Sequence, residues 1–374
     1  MSRLERIPSL DGVRGLAALC VVLAHNGVLV LTTGAAALGG VMDAFFCLSG
    51  FLVGRMLLAA QEGREPIARF YGRRAARIIP AHWIACCVVA WLVGPGTWAW
   101  LAAVYATNPL LFFVGQKVHI ALAPTWSLCV EEQFYLLLPL AIYRLSRERL
   151  QTVLFWCVAA PLAVLMFSPD MIQRGWLNAD VIFSTFPFRL PALAAGVLLA
   201  LHEMRLRENP GTLLRWGAWA VAAGAGLSYG GTFADARRGM IAGTCLGVGV
   251  IMLALWAHWV RFRPATDLLG CRLLRGLGTI SLGLYVYHFP ITFFLCGSLP
   301  FETDMARHVA SVVIAVAAAT VSWFVIERPI LRLRDHWSRV HDRRVLGPSG
   351  RVLTRKIHLP VLVSIPIVVD ELPV

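Results

Sequence analysis

Arg14 and His25 are the first residues able to do chemistry, and they lie within "LDGVRGLAALCVVLAHN", a stretch that is otherwise mostly apolar. An imidazole is suited to take a proton from a hydroxyl near neutral pH, and a guanidinium to hold a phosphate or a carboxylate. On a helix the eleven positions between them amount to nearly three whole turns, so both side chains fall on one face, about 16 Å apart along the axis. Taken singly, Arg14 could snorkel to lipid headgroups and His25 could bond to a neighbouring helix. Asp11, three residues before Arg14, is placed to pair with it across one turn.

Other ionisable residues interrupt apolar stretches downstream. Asp43 opens the run "VMDAFFCLSGFLVGRM" and reads as a structural or orienting carboxylate. "ARFYGRRAARIIPAHW" supplies Arg69, Arg73, Arg74 and Arg77, with Arg74 and Arg77 on one helical face. Guanidinium clusters grip phosphate oxygens two at a time, although an ordinary basic loop beside a membrane has the same composition. Glu131 and Glu132 in "PTWSLCVEEQFYLLLPL" share their apolar segment with no arginine, so their partners must come from other helices. They would form a buried ion pair or orient a histidine or an arginine. Arg189 in "FRLPALAAG", Tyr285 and His288 on one face of "SLGLYVYHFPI", and Glu327 in "FVIERPI" complete the set. So many ionisable groups in apolar segments imply a polar chamber inside a helical bundle. A metal site is not expected: the nine cysteines are odd in number, show no paired ligand spacing, and Cys86-Cys87 reads as buried thiols.

The elements that must position these residues are membrane helices. Of 374 residues 58% are hydrophobic and only 15% charged, too little polar surface to cover a water-soluble globule. The formal charge of +13 does not point to nucleic acid, because the basic residues, nearly all arginine, cluster between long apolar runs as loops beside lipid headgroups do. Apolar runs near the length of a crossing fall at 13–33, 41–60, 79–95, 126–143, 150–167, 180–201, 213–229, 239–260, 278–297 and 308–327. An all-α polytopic membrane protein with about ten transmembrane helices is therefore expected. With the N-terminus inside, fifteen arginines fall on the inner side against five basic residues outside. That bias makes both termini cytoplasmic and makes 97–116, interrupted by Asn108-Pro109, an outer interfacial or re-entrant segment. The opening residues could pass for a signal peptide, but His25-Asn26 in its apolar region argues against one. Residues 1–334 are expected to form the transmembrane unit and 335–374 a disordered or surface-lying extension.

The ordered series "SLDGVRGLAALCVVLAH", "DAFFCLSGFL", "RFYGRRAARIIPAHW", "TWSLCVEEQFYLLLP", "FRLPALAAG", "SLGLYVYHFP" and "ERP" resembles the acyltransferase 3 family of bacterial inner-membrane proteins, which modify cell-surface and extracellular glycans. The resemblance runs from about residue 7 to 330. It implies that Arg14 and His25 are the family's first-helix arginine and histidine, the histidine being essential for acyl transfer. It matches Arg74 and Arg77 to the family's arginine pair, and Glu131-Glu132 to its buried glutamate motif without fixing which of the two matters. It further implies acyl-CoA from the cytoplasm, usually acetyl-CoA, as co-substrate, and a carbohydrate hydroxyl at the outer face as acceptor. Some members carry a fused extracytoplasmic hydrolase-like domain; none is visible in these 374 residues, so such a partner would be a separate acyltransferase.

Physical chemistry is compatible with that assignment. Arg69, Arg73, Arg74 and Arg77, with Arg14 nearby, could bind the phosphates of coenzyme A, and Asp43, Arg189, Tyr285, His288 and Glu327 would line the substrate chamber. His25 would act as general base with Glu131 or Glu132 as its orienting partner, or alternatively as a transient acyl-histidine. The competing class is a proton-coupled transporter or flippase, which buried ion pairs and a midplane histidine also suit.

Overall fold

The structure, a computed structural model, is described for residues 5–26, 35–106, 119–173, 179–228, 236–295 and 304–335. Among these residues there is no strand. The helices are α1 (Pro8–His25), α2 (Ala35–Glu62), α3 (Ile67–Val93), α4 (Thr97–Ala103), α5 (Trp126–Arg144), α6 (Arg147–Gln173), α7 (Ala179–Ser184), α8 (Phe186–Leu201), α9 (Glu203–Glu208), α10 (Gly211–Ser228), α11 (Ala236–Trp259), α12 (Arg263–Leu269), α13 (Arg272–Leu295) and α14 (Asp304–Ser322). A short 3-10 helix, Ile120–Thr125, leads into α5, and a π-helical turn, Trp323–Glu327, follows α14.

Among the described residues seven segments are long and apolar enough to cross a membrane: Gly39–Glu62, Ile67–Val93, Arg147–Leu165, Ile182–Leu201, Arg237–Trp259, Arg272–Leu295 and Met305–Asp335. The other three expected spans, 13–33, 126–143 and 213–229, fall on α1, α5 and α10, which are helical but outside that set. Asp11, Arg14 and His25 in α1, and Glu131, Glu132 and Arg144 in α5, are the polar residues that dilute the first two. The segment 97–116 begins as the short helix α4; residues 107–116, the part of the first span after Asn26, and the extension beyond Asp335 lie outside the described residues.

The outer surface of the bundle is what lipid requires. Trp91 is 82% exposed and Trp219 71%, among many exposed aliphatic side chains, a surface that water would not tolerate at this density. The arginine-bearing helix ends converge on one face. Tyr143 Oη donates to the Glu65 carbonyl at 2.7 Å, Arg147 donates to the Leu201 carbonyl, and Arg55 meets Glu203 at 2.6 Å.

Glycine sets the two contacts that matter for the interior. Without a hydrophobic drive between helices in lipid, close backbone approach supplies the packing energy, and only small residues allow it. A Cβ on Gly15 would run into the Leu274 carbonyl and one on Gly278 into the Asp11 carbonyl, so α1 and α13 touch backbone to backbone. Gly50 and Gly196 do the same for α2 and α8, against the carbonyls of Leu193 and Cys47. These two crossings fix where α1, α2, α8 and α13 hold their inward polar side chains.

One boundary differs from expectation. The apolar run 308–327 predicts a last span that stops at Glu327-Arg328-Pro329, but helical structure runs on to Asp335. The π turn has already displaced the regular hydrogen-bond ladder when Pro329 arrives, so the proline's missing N–H breaks little.

Candidate active site

Between α1, α2, α3, α5 and α13 lies a cavity of about 110 Å³. Arg14 enters it from α1, Arg74 and Arg77 from α3, Ser49 from α2, Ser127, Glu131 and Tyr135 from α5, and Ser281 and Tyr285 from α13. The Arg74–Arg77 spacing of three does here what it does on any helix and directs both guanidiniums the same way. Arg74 lies over the Tyr135 ring, 3.8 Å from its centroid, in cation–π contact. Ser49 Oγ donates to Glu131 Oε1 at 2.6 Å, so the one carboxylate lining the cavity among the described residues is held by a hydroxyl. Among the described residues no carboxylate lies within 4.0 Å of the Arg14, Arg74 or Arg77 guanidinium. Three cations thus share a small chamber with a single acid, an arrangement that favours an anionic visitor.

Tyr285 and Ser127 bound the cavity toward the imidazoles. Their hydroxyls are 2.7 Å apart, and Tyr285 Oη also donates to the Pro124 carbonyl at 2.8 Å. One turn farther along α13 is His288, whose ring centroid is 5.7 Å from that of Tyr285. His288 is fully buried and its Nε2 stands 2.9 Å from His25 Nδ1. His25 itself is partly buried, edge-on to Phe289 at 5.5 Å. The last turn of α1 is tied to α13 by Thr292, whose hydroxyl donates to Asn26 Oδ1 at 2.8 Å. The glycine contact that lets α1 and α13 touch is therefore what brings the two imidazoles within hydrogen-bonding distance. Arg14 lines the cavity and His25 does not; His25 stands beyond its Tyr285 end.

Residues 7–327 match the family model described as an acyltransferase domain. The chain belongs to this family. It is a multi-pass membrane enzyme that transfers acyl groups, and the carrier reading gives way. The acyltransferase MdmB of Streptomyces mycarofaciens is 26% identical, the match covering 88% of this chain and 93% of that protein. The O-acetyltransferase OatA of Staphylococcus aureus is 25% identical over 87% of this chain and 57% of its own length. No solved structure matches the chain.

The remaining polar residues of this acyltransferase fall into separate places. Asp43 and Arg189 pair with each other at 3.0 Å, both almost completely buried and neither lining the cavity, although the guanidinium lies 6.0 Å from the ring of Phe46, which does. Thr244 donates to Asp43 Oδ2 at 3.1 Å, Arg189 Nε donates to the Phe183 carbonyl at 2.8 Å, and Phe183 and Trp126 lie against the guanidinium. Arg69 and Arg73 do not line the cavity; both lie beside Glu65, at 3.7 and 3.4 Å. Adjacent helical residues point about 100° apart, so only one of the two glutamates can face the chamber. Glu131 does, whereas Glu132 turns away with Oε1 buried and without a hydrogen bond. Glu327 accepts from Ser322 at 3.1 Å, and Ser322 in turn meets Tyr287 at 2.9 Å, on the side where α13 meets α14. Asp11 pairs with Arg6 at 2.8 Å instead of with Arg14, because Arg6 precedes the helix and can fold back on it.

Sequence reading missed Ser49, Ser127 and Tyr135. Ser49 stands beside Gly50 in the run that Asp43 opens, and its hydroxyl holds Glu131. The available signal was its spacing: Asp43 and Ser49 sit on different faces of α2, so one polar residue had to face each of two neighbours.

Proposed function

We propose that this acyltransferase moves an acetyl group from cytoplasmic acetyl-CoA to a hydroxyl of a cell-surface or exported carbohydrate, working in a bacterial inner membrane. The observation that carries the reading is the trio of Arg14, Arg74 and Arg77, with no carboxylate partner among the described residues, around a chamber inside the bundle. Coenzyme A is a polyanion on a long, narrow pantetheine arm; guanidiniums hold its anionic part while the arm carries the thioester deeper. Arg69 and Arg73, outside the chamber and on the same helix, meet the donor first.

His25 is then the general base. Its ring takes the proton of the acceptor hydroxyl as that oxygen attacks the thioester carbonyl carbon. A C–O bond forms, the C–S bond breaks, and the departing thiolate takes the proton back from the imidazole to leave as free coenzyme A. Tyr285 and Ser127, whose hydroxyls meet at the end of the chamber nearest His288, stand along the path of the thioester.

Purified protein in detergent, given acetyl-CoA and a hydroxylated glycan acceptor, should release free thiol only when both are present. His25→Ala should reduce that release by at least about 10²-fold, the contribution typical of a general base. Normal turnover in that variant removes the base assignment, and acetyl-CoA-independent esterification removes the donor.

A further inference from the structure

The two imidazoles hold each other in a way that determines where the protons are. His288 Nδ1 lies 2.6 Å from the Tyr285 carbonyl oxygen. A carbonyl oxygen only accepts, so this nitrogen carries the hydrogen. A neutral imidazole has one N–H, which leaves His288 Nε2 bare and able only to accept. Its neighbour at 2.9 Å is His25 Nδ1, which must therefore be the donor. The rings are parallel to within 3° with centroids 5.2 Å apart, the geometry of two rings joined edge to edge through one N–H···N bond. Neither ring touches a carboxylate among the described residues, so nothing there compensates a cation on the resting pair.

We propose that His288 is a positioning residue that locks His25 in its Nδ1–H tautomer, leaving His25 Nε2 as the basic atom. The inference rests on the reading of His25 as general base and changes who orients it: a second histidine anchored on its own backbone, in place of Glu131 or Glu132. Glu131 faces the arginine chamber and is held by Ser49, and Glu132 turns away from that chamber. Among the described residues nothing hydrogen-bonds to His25 Nε2, which leaves its lone pair for an incoming hydroxyl. When that nitrogen takes the proton, the Nδ1–H stays on His288 Nε2, and the new cation keeps its acceptor. The alternative tautomer would put the hydrogen on Nε2 and disable the base, as a misoriented histidine does in any such site.

Two amide substitutions separate this role from simple packing. Glutamine carries its terminal amide to about the place of the distal ring nitrogen, so His288→Gln can still accept from His25. Asparagine reaches only the place of the near nitrogen, so His288→Asn keeps the Tyr285 contact and loses His25. The expected order is a kcat within about tenfold of the parent for His288→Gln and a loss of about 10²-fold for His288→Asn, with KM for acetyl-CoA little changed in both. Nitrogen NMR of histidine-labelled parent protein should show His25 protonated at Nδ1, its signals being those lost in His25→Ala. Equal kcat in the two amide variants, or His25 protonated at Nε2 in the parent, overturns the proposal, and the NMR arm, which uses only the parent and His25→Ala, stands even where an amide variant fails to fold. Full turnover in His25→Ala would strike the general-base reading instead, so the two failures are distinguishable.

Discussion

Arg189 and Arg74 are both inward-facing guanidiniums packed on aromatic rings, yet they belong to opposite kinds of place. Arg189 is 0% exposed and partnered by its own chain: Asp43 lies at 3.0 Å, the Phe183 carbonyl at 2.8 Å, and the rings of Phe183 and Trp126 pack on it, with Nη2 alone lacking a hydrogen bond among the described residues. Arg74 has the face of Tyr135 and, among the described residues, no carboxylate within 4.0 Å; it shares its chamber with Arg14 and Arg77, which likewise have none. A buried charge supplied with partners by its own chain serves the fold. One left without them in a cavity is held ready for something that arrives from outside.

Removing one half of the satisfied pair should have the largest effect. Arg189→Met leaves the Asp43 carboxylate buried and unpaired, which costs about 3–5 kcal/mol. The variant should accumulate poorly and unfold well below the parent in a detergent melt. Adding Asp43→Leu should recover most of that loss, because the stranded charge is gone. If the single variant is as stable as the parent, Asp43 and Arg189 are not a structural pair and the contrast fails.

The chamber should respond the other way. Arg74→Ala or Arg77→Ala removes a cation that repels its neighbours in the empty site, so the melting temperature should hold or rise. KM for acetyl-CoA should increase roughly 10- to 100-fold, the worth of one charged hydrogen bond. Turnover at saturating donor should fall much less. A lowered melting temperature with unchanged KM would move these arginines into the class of Arg189.

How much of this was legible beforehand follows from what each feature depends on. The apolar stretches were readable because the bilayer fixes their length, and each of the ten is mainly helical where it falls within the described residues, although Thr185 divides 180–201 into two helices and the helix in 79–95 ends at Val93. The shared face of Arg74 and Arg77 was foreseeable from spacing on one helix, as was that of Tyr285 and His288, whereas Arg14 joins the two arginines through a contact between helices. Asp43 and Arg189 were visible as expensive residues, but they meet across 146 positions, and no local pattern says that they meet each other. Glu131 and Glu132 were indistinguishable for a related reason: neighbours on a helix differ only in azimuth, which the packing of α2 and α3 decides. Carboxylates are the usual orienters of a histidine, and Glu131 and Glu132 are the candidates that the sequence offers as the partner of His25. The partner is an imidazole because Gly15 and Gly278 bring α1 against α13 at the depth of "YVYHFP".

A third arginine setting gives the smallest effect and sharpens the comparison. Arg207 has partners, as Arg189 does, meeting Glu5 at 3.0 Å and Glu203 at 2.7 Å, but its side chain is 32% exposed and that of Glu5 62%. The Arg207 hydrogen bond and charge hold the Glu5 carboxyl below its ordinary value. A carboxylate lowered on folding adds stability at pH above its ordinary value and loses it as pH falls through the lowered one. Water screens this pair, so Glu5→Gln should cost only ~0–1 kcal/mol at neutral pH. The difference between variant and parent melting temperatures should shrink toward zero as pH falls below the ordinary glutamate value and through the lowered one. A neutral-pH loss as large as that of Arg189→Met would mean that partners alone, without burial, make an arginine structural, and burial would drop out of the distinction between the two interior regions.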